Sequence, residues 1–148
     1  MKGFYEQTRL SAEKIAHLGF IQDVISRMAA NSFMLKGWSI TLAAALFTLT
    51  TKDSNTQYIL AAFFPALLFA ALDTYFFWQE KLFRRLYDAV ANDEISSDNF
   101  TLKTTCINSD RPSLFSAIFS LSIIAFHGAL ITGIVLSVYL LAIKKIIL

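Results

Sequence analysis

The run Tyr58–Trp78, YILAAFFPALLFAALDTYFFW, constrains this chain more than any other stretch. As a helix it is long enough to cross a hydrocarbon layer of about 30 Å. Asp73 is its only charge, and it is apolar on every face for most of its length. A surface helix of a soluble domain would alternate polar and apolar faces. The medium this run fits is lipid, and the rest of the chain reads as what flanks or packs against it.

Composition agrees. Charged residues make up 16% of the 148, against about 25% in a globular domain, and 55% are hydrophobic, including 14 Phe. With 2 Pro and 5 Gly, a largely helical chain is expected. The net charge of +2 is too small to argue for nucleic acid. A single cysteine, Cys106, cannot close an internal disulfide, which fits a reducing compartment. The polar N-terminus, MKGFYEQTRLSAEK, lacks the apolar core of a secretory leader.

In chain order, residues 4–32 predict an amphipathic helix. Leu18, Ile21, Val24, Ile25 and Met28 fall on one face, with Glu13, Asp23, Arg27 and Asn31 elsewhere. Ser11 suits an N-cap. The helix packs on its own protein, binds a partner or second copy, or lies in the lipid interface; its mixed charges weigh against the last. A first span over 33–51 follows without a clear break. Lys36 sits about a turn inside it and can snorkel outward along its apolar stem. Residues 51–57 form a tight polar link, which makes the first two spans antiparallel neighbours.

The second span, 58–78, contains Pro65, which removes a backbone donor and bends the helix. Charged residues Glu80, Lys81, Arg84, Arg85 and Asp88 then alternate with Leu82, Phe83, Leu86, Tyr87 and Val90. This predicts a helical extension to about residue 91, outside the membrane and packed on the N-terminal helix. Residues 92–111 are non-helical; FTLKTTCI over 100–107 reads as loop, with a short strand as the alternative. Pro112 opens a last apolar helix whose span covers 114–143, longer than one crossing requires. The expectation is one all-α membrane domain of three transmembrane helices, with a cytosolic amphipathic N-terminal helix and a cytosolic extension of the second span. Lys and Arg concentrate before the first span and after the second, which places the N-terminus in the cytosol and the C-terminus in the periplasm; Lys144 and Lys145 dissent.

Three features bear on function. Lys36 and Asp73 reach similar depth, so an intramembrane ion pair is expected, either fixing topology or serving as a gate or proton site. Ser113, Ser116, Ser120 and His127 share a helical stripe, which either lines a wet path or bonds its own backbone. Each span carries small residues at every fourth position: Gly37, Thr41 and Ala45; Ala62, Ala66, Ala70 and Thr74; Ala125, Ala129, Gly133 and Ser137. Small residues let helices approach where lipid supplies no hydrophobic drive. Three such rows predict a homo-oligomer in which at least one faces another subunit, unless all three meet inside one protomer. Two His and one Cys at scattered positions make no metal set or catalytic triad, and no glycine loop cradles phosphate. No enzyme activity and no cofactor are expected.

The run IQDVISRMAANSFMLKGWSITLAAALFTL, followed by FFPALLFAALDTYFFWQEKLFRRLYDAV, resembles a group of small multi-pass bacterial membrane proteins of undefined function. In that group a pattern like RMAxNSFxLKGW precedes one span, and ALDxYF followed by QE-LFR-LYD closes the next. Arg27, Asn31, Lys36, Gly37, Trp38, Asp73, Gln79 and Glu80 match its polar positions. The resemblance covers most of residues 21–91. It implies an inner-membrane effector of antiphage defence, in company with TIR-like partners. Such an effector would permeabilise or form a channel in the membrane when a cytosolic sensor triggers it. A non-catalytic anchor that recruits a cytosolic enzyme is the alternative.

Overall fold

A computed structural model describes residues 2–53, 57–107 and 111–147, and the side chains of 12–52, 57–107 and 111–143 within them. Every regular element there is helical. Helix α1 runs unbroken from Lys2–Asp53, 52 residues. At 1.5 Å per residue it is roughly 78 Å long, more than twice a hydrocarbon layer, so more than half of it would lie beyond one that it crossed. The amphipathic segment and the first span are therefore one helix. Ser11 lies within it and does not cap it. Nothing between residues 28 and 36 breaks the helix, because the change there is from one-sided to all-round apolarity and not in backbone propensity.

Beyond residues 54–56, which fall outside the described residues, come helices α2 (Gln57–Ala61) and α3 (Phe63–Ala91). The interruption at Ala62, a turn residue whose N–H bonds Ile59 O at 3.1 Å, adjoins Ala61, the residue whose carbonyl Pro65 denies a donor. After a loop containing a single 3-10 turn, Thr104–Cys106, come α4 (Leu114–Ile118) and α5 (Leu121–Ile147). The segment 100–107 is loop, not strand. The last predicted helix is thus two. Ser113 Oγ accepts from Ser116 N–H at 3.2 Å and caps α4; Ser120 Oγ accepts from Ile123 N–H at 3.4 Å at the start of α5. Two serines offering side-chain caps divide a run that hydropathy alone reads as continuous.

Three helical stretches are long and apolar enough to cross a membrane: Ala12–Lys52, Gln57–Ala91 and Leu121–Ile143. They are compatible with a membrane location. The hydroxyls on the lipid-compatible surface fold back on their own helices: Thr41 to Gly37 O, Thr48 to Ala44 O and Thr132 to Gly128 O, at 2.7–2.9 Å. That satisfies each donor without a partner helix.

Packing is concentrated in two places. The C-terminal half of α3 lies along the N-terminal half of α1, where Ile21, Ile25, Leu86 and Val90 are buried with Ile107 from the loop. The two apolar stripes cover each other, and charged Arg84 and Asp88 remain exposed. At the far end, Ile59, Ala62 and Ala66 meet Ile134 of α5. Helix α5 packs on α3 and α2 and touches α1 little. Between α1 and α5 the molecule opens as an apolar groove of about 310 Å3, lined by Ala43, Phe47, Ala129, Gly133 and Ser137 among others.

Candidate functional site

Between the two packed ends, the polar side chains of three helices converge on one atom group. Asp73 of α3 is fully buried. Its Oδ2 lies 2.6 Å from Lys36 Nζ of α1 and 2.9 Å from His127 Nε2 of α5. Ser32 Oγ donates to Oδ1, and Lys36 Nζ also donates to Ser32 Oγ at 2.9 Å. One carboxylate thus ties together all three helices able to span a membrane.

The local sequence explains the geometry. Ser32 and Lys36 are four residues apart, one above the other on the same face of α1. The ammonium sits 5.9 Å from the Phe126 ring centroid, a distance at which the ring face adds a weak attraction. His127 is 4% exposed. An ionised Asp73 requires a donor at His127 Nε2. With the Lys36 and Asp73 charges cancelling, a neutral ring protonated at Nε2 leaves the cluster net neutral. That tautomer leaves Nδ1 as an acceptor, and Nδ1 is buried with no partner among the described residues. An acceptor lone pair costs less to leave unmet there than an N–H would.

Chemically this is a latch. Ser32 Oγ donates to Asp73, and no hydrogen bond joins it to His127 among the described residues. Among the described residues no group of three or more His, Cys, Asp and Glu could hold a metal ion.

A second polar cluster secures the loop that follows α3. Helix α3 ends at Asn92, and Asp93 takes a left-handed conformation, φ 60°, which short polar side chains tolerate. Lys14 of α1 reaches across to Ala91 O at 2.8 Å and Asp93 Oδ1 at 2.7 Å, a cation at a helix C-terminus. His17, completely buried, bonds Thr101 O through Nε2 at 2.9 Å and Ser97 Oγ through Nδ1 at 3.2 Å. A ring protonated at Nε2 satisfies both, donating to the carbonyl and accepting from the hydroxyl. Phe100, at φ 45°, stacks edgewise on His17 and Phe20 with centroids 5.8 and 5.9 Å apart. A bulky residue with positive φ persists only where its surroundings hold it, and here the two rings do so.

The residues singled out from the sequence divide as follows. Lys36, Asp73 and His127 meet. The serine stripe does not: Ser113 and Ser116 cap and bond each other in α4, Ser116 Oγ donating to Ser113 O at 2.8 Å. Ser120 opens α5, and His127 faces Asp73. The four residues do not line one path along one helix, because the α4–α5 break removes their common register. Of the small-residue rows, Ala62, Ala66 and Thr74 are buried inside the protomer and Ala70 is half-buried. Gly37, Thr41, Ala45, Ala125, Ala129 and Gly133 are exposed, and a methyl group at Gly37 or Gly133 would meet nothing within 4 Å. Lys144 and Lys145 lie outside the described side chains. Trp38 is exposed, and the side chains of Arg27, Asn31 and Gln79 make no hydrogen bond or ion pair among the described residues; Glu80 is buried and paired with Arg84 at 2.7 Å.

Sequence reading passes over Ser32 and His17. The signal for Ser32 is its four-residue spacing to Lys36. For His17 it is the series 17, 21, 24, 25, 28, which sets the ring on the apolar face of α1. No protein-family description, curated protein or solved structure matches this chain. The functional reading therefore rests on geometry and on the sequence pattern.

Proposed function

We propose that this protein is an oligomeric inner-membrane effector that permeabilises the membrane, or forms a channel in it, when a cytosolic partner triggers it. The N-terminus and the 92–111 loop face the cytosol and the C-terminus the periplasm, as the distribution of Lys and Arg favours. A role in antiphage defence follows from the resemblance of residues 21–91. The observation that carries the reading is the fate of the small-residue rows. The row on α3 is used up inside the protomer, whereas Gly37, Thr41 and Ala45 on α1 and Ala125, Ala129 and Gly133 on α5 remain exposed. Two unspent rows on different helices give each protomer two faces for neighbours, which a ring or cluster requires and a solitary anchor does not. The Ser32–Lys36–Asp73–His127 latch fits the same reading. It holds three helices in one arrangement, and its release would let them reorganise as a unit.

A second reading, a non-catalytic anchor that recruits a cytosolic enzyme, is favoured by one observation. The packed layer beyond the latch leaves an open groove of about 560 Å3 lined by Phe20, Asp23, Val24, Ser26, Arg27 and Leu102. Membrane potential in cells separates the two. Depolarisation on expression of the wild type, lost in Lys36→Ala and Asp73→Ala variants at equal membrane level, supports the effector. No depolarisation, even with neighbouring gene products co-expressed, supports the anchor.

A further inference from the structure

We propose that α4 is an interfacial helix, with its Phe115–Phe119 face seated in the lipid of the leaflet nearest the latch. The inference uses the membrane placement above and is independent of whether the protein conducts.

Helix α4 is held at a fixed depth. Trp78 lies five residues beyond Asp73 on α3 and Lys81 eight, about 7 and 12 Å further along the axis. Helix α4 is tied to both: Trp78 Nε1–H donates to Pro112 O at 2.9 Å, and Lys81 Nζ donates to Ser116 O at 3.0 Å. From the other side, Leu121 lies six residues before His127 on α5, about 9 Å above the latch. All three fixed points put α4 in one shallow layer, one to two helical turns beyond a buried charge pair. That is where the hydrocarbon gives way to headgroups.

The outer surface of α4 is apolar. Ala117 is completely buried against the protein, whereas Phe115, Phe119 and Leu121 are 73, 71 and 82% exposed. Leu114 and Ile118 add to the same side. So much bare apolar surface on a seven-residue stretch is not a soluble face. It adjoins the apolar surface of α5, where Ile124, Val135 and Leu136 are exposed, so lipid is the medium it meets. The flanking groups suit that boundary. Trp78 presents an amphipathic ring, Arg111 is exposed just before α4, and the Lys81 ammonium lies 5.0 Å from the Phe77 ring centroid. Cations at this level face lipid phosphates. The Ser113 and Ser120 side chains each bond one of the N–H groups freed where α4 and α5 begin.

Spin-label accessibility tests this. Nitroxides are placed by Phe115→Cys and Phe119→Cys in a Cys106→Ala background, one protomer per nanodisc of phosphatidylcholine and phosphatidylglycerol. Leu136→Cys, on exposed mid-α5, is the in-span reference and Asn99→Cys the aqueous one. The expected result is collision with oxygen favoured over a water-soluble nickel chelate at 115 and 119, as at 136 and unlike 99. Nickel-favoured labels at 115 and 119, with 136 still oxygen-favoured, would overturn the interfacial assignment alone. Labels reached by neither relaxant would overturn it in favour of a protein cover. Nickel-favoured accessibility at 136 would overturn the membrane placement with it.

Discussion

Removing either partner of the Lys36–Asp73 pair should not cost the same, although the same 2.6 Å contact is lost. Asp73 has one methylene and no exposed surface, so its carboxylate cannot move to water. Lys36 has four methylenes and a side chain already 17% exposed, so its ammonium can withdraw along the apolar stem. In Lys36→Met the carboxylate stays enclosed, and stranding a buried charge costs about 3–5 kcal/mol. His127, 2.9 Å from the same oxygen, offers a substitute partner and sets the expectation at the lower end, about 3 kcal/mol. In Asp73→Asn the freed ammonium relocates, the amide oxygen keeps one of Ser32 and His127 as donor while the other turns to accept from the amide NH2, and the loss is about 1–2 kcal/mol of charge-assisted hydrogen bonding. In the double variant no carboxylate is stranded, so its cost should equal that of Asp73→Asn, a coupling of about 3 kcal/mol or somewhat less. Denaturant titration in detergent micelles, followed by the fluorescence of Trp38 and Trp78, measures all three. The reasoning fails if Asp73→Asn costs as much as Lys36→Met, or if the two losses add.

Three further outcomes test the layer beyond the latch. His17→Phe keeps the ring but removes both loop hydrogen bonds; amide exchange over 97–101 should accelerate by the equivalent of about 1–2 kcal/mol while residues around Asp73 stay protected. Trp78→Phe deletes the tie to Pro112, and exchange at Ser116 and Ala117 should rise by about 1 kcal/mol equivalent; loosening confined to α5 would contradict the assignment. Leu86→Ala, at a fully buried position in the α1–α3 contact, should cost about 2–5 kcal/mol in the same micelle titration, and less than additively with Ile25→Ala because the two share one cluster.

The packing of α3 on α1 could be read from single residues. Leu82, Leu86, Ala89 and Val90 repeat at helical spacing among charges, as do Ile21, Val24 and Ile25, and two such stripes have only each other to cover them. The depth of Lys36 and Asp73 could be read as well, since depth depends only on residues counted along each helix. The α4–α5 division could not: no proline or glycine marks it, and a serine within an apolar run is an equally good back-bonding residue inside a helix, as Ser39 and Ser137 are. Nor could His127 be assigned to Asp73 in place of a stripe with Ser120.

Apolar length by itself determined that three helices can cross a membrane and where their polar residues lie in depth, because both follow from local rise per residue. The tertiary structure alone decided which way each face turns. In a span, the side against lipid and the side against a helix are equally apolar, so periodicity carries no azimuth. Only packing the helices against one another put Asp73 between Lys36 and His127, buried the small row of α3, and left those of α1 and α5 bare.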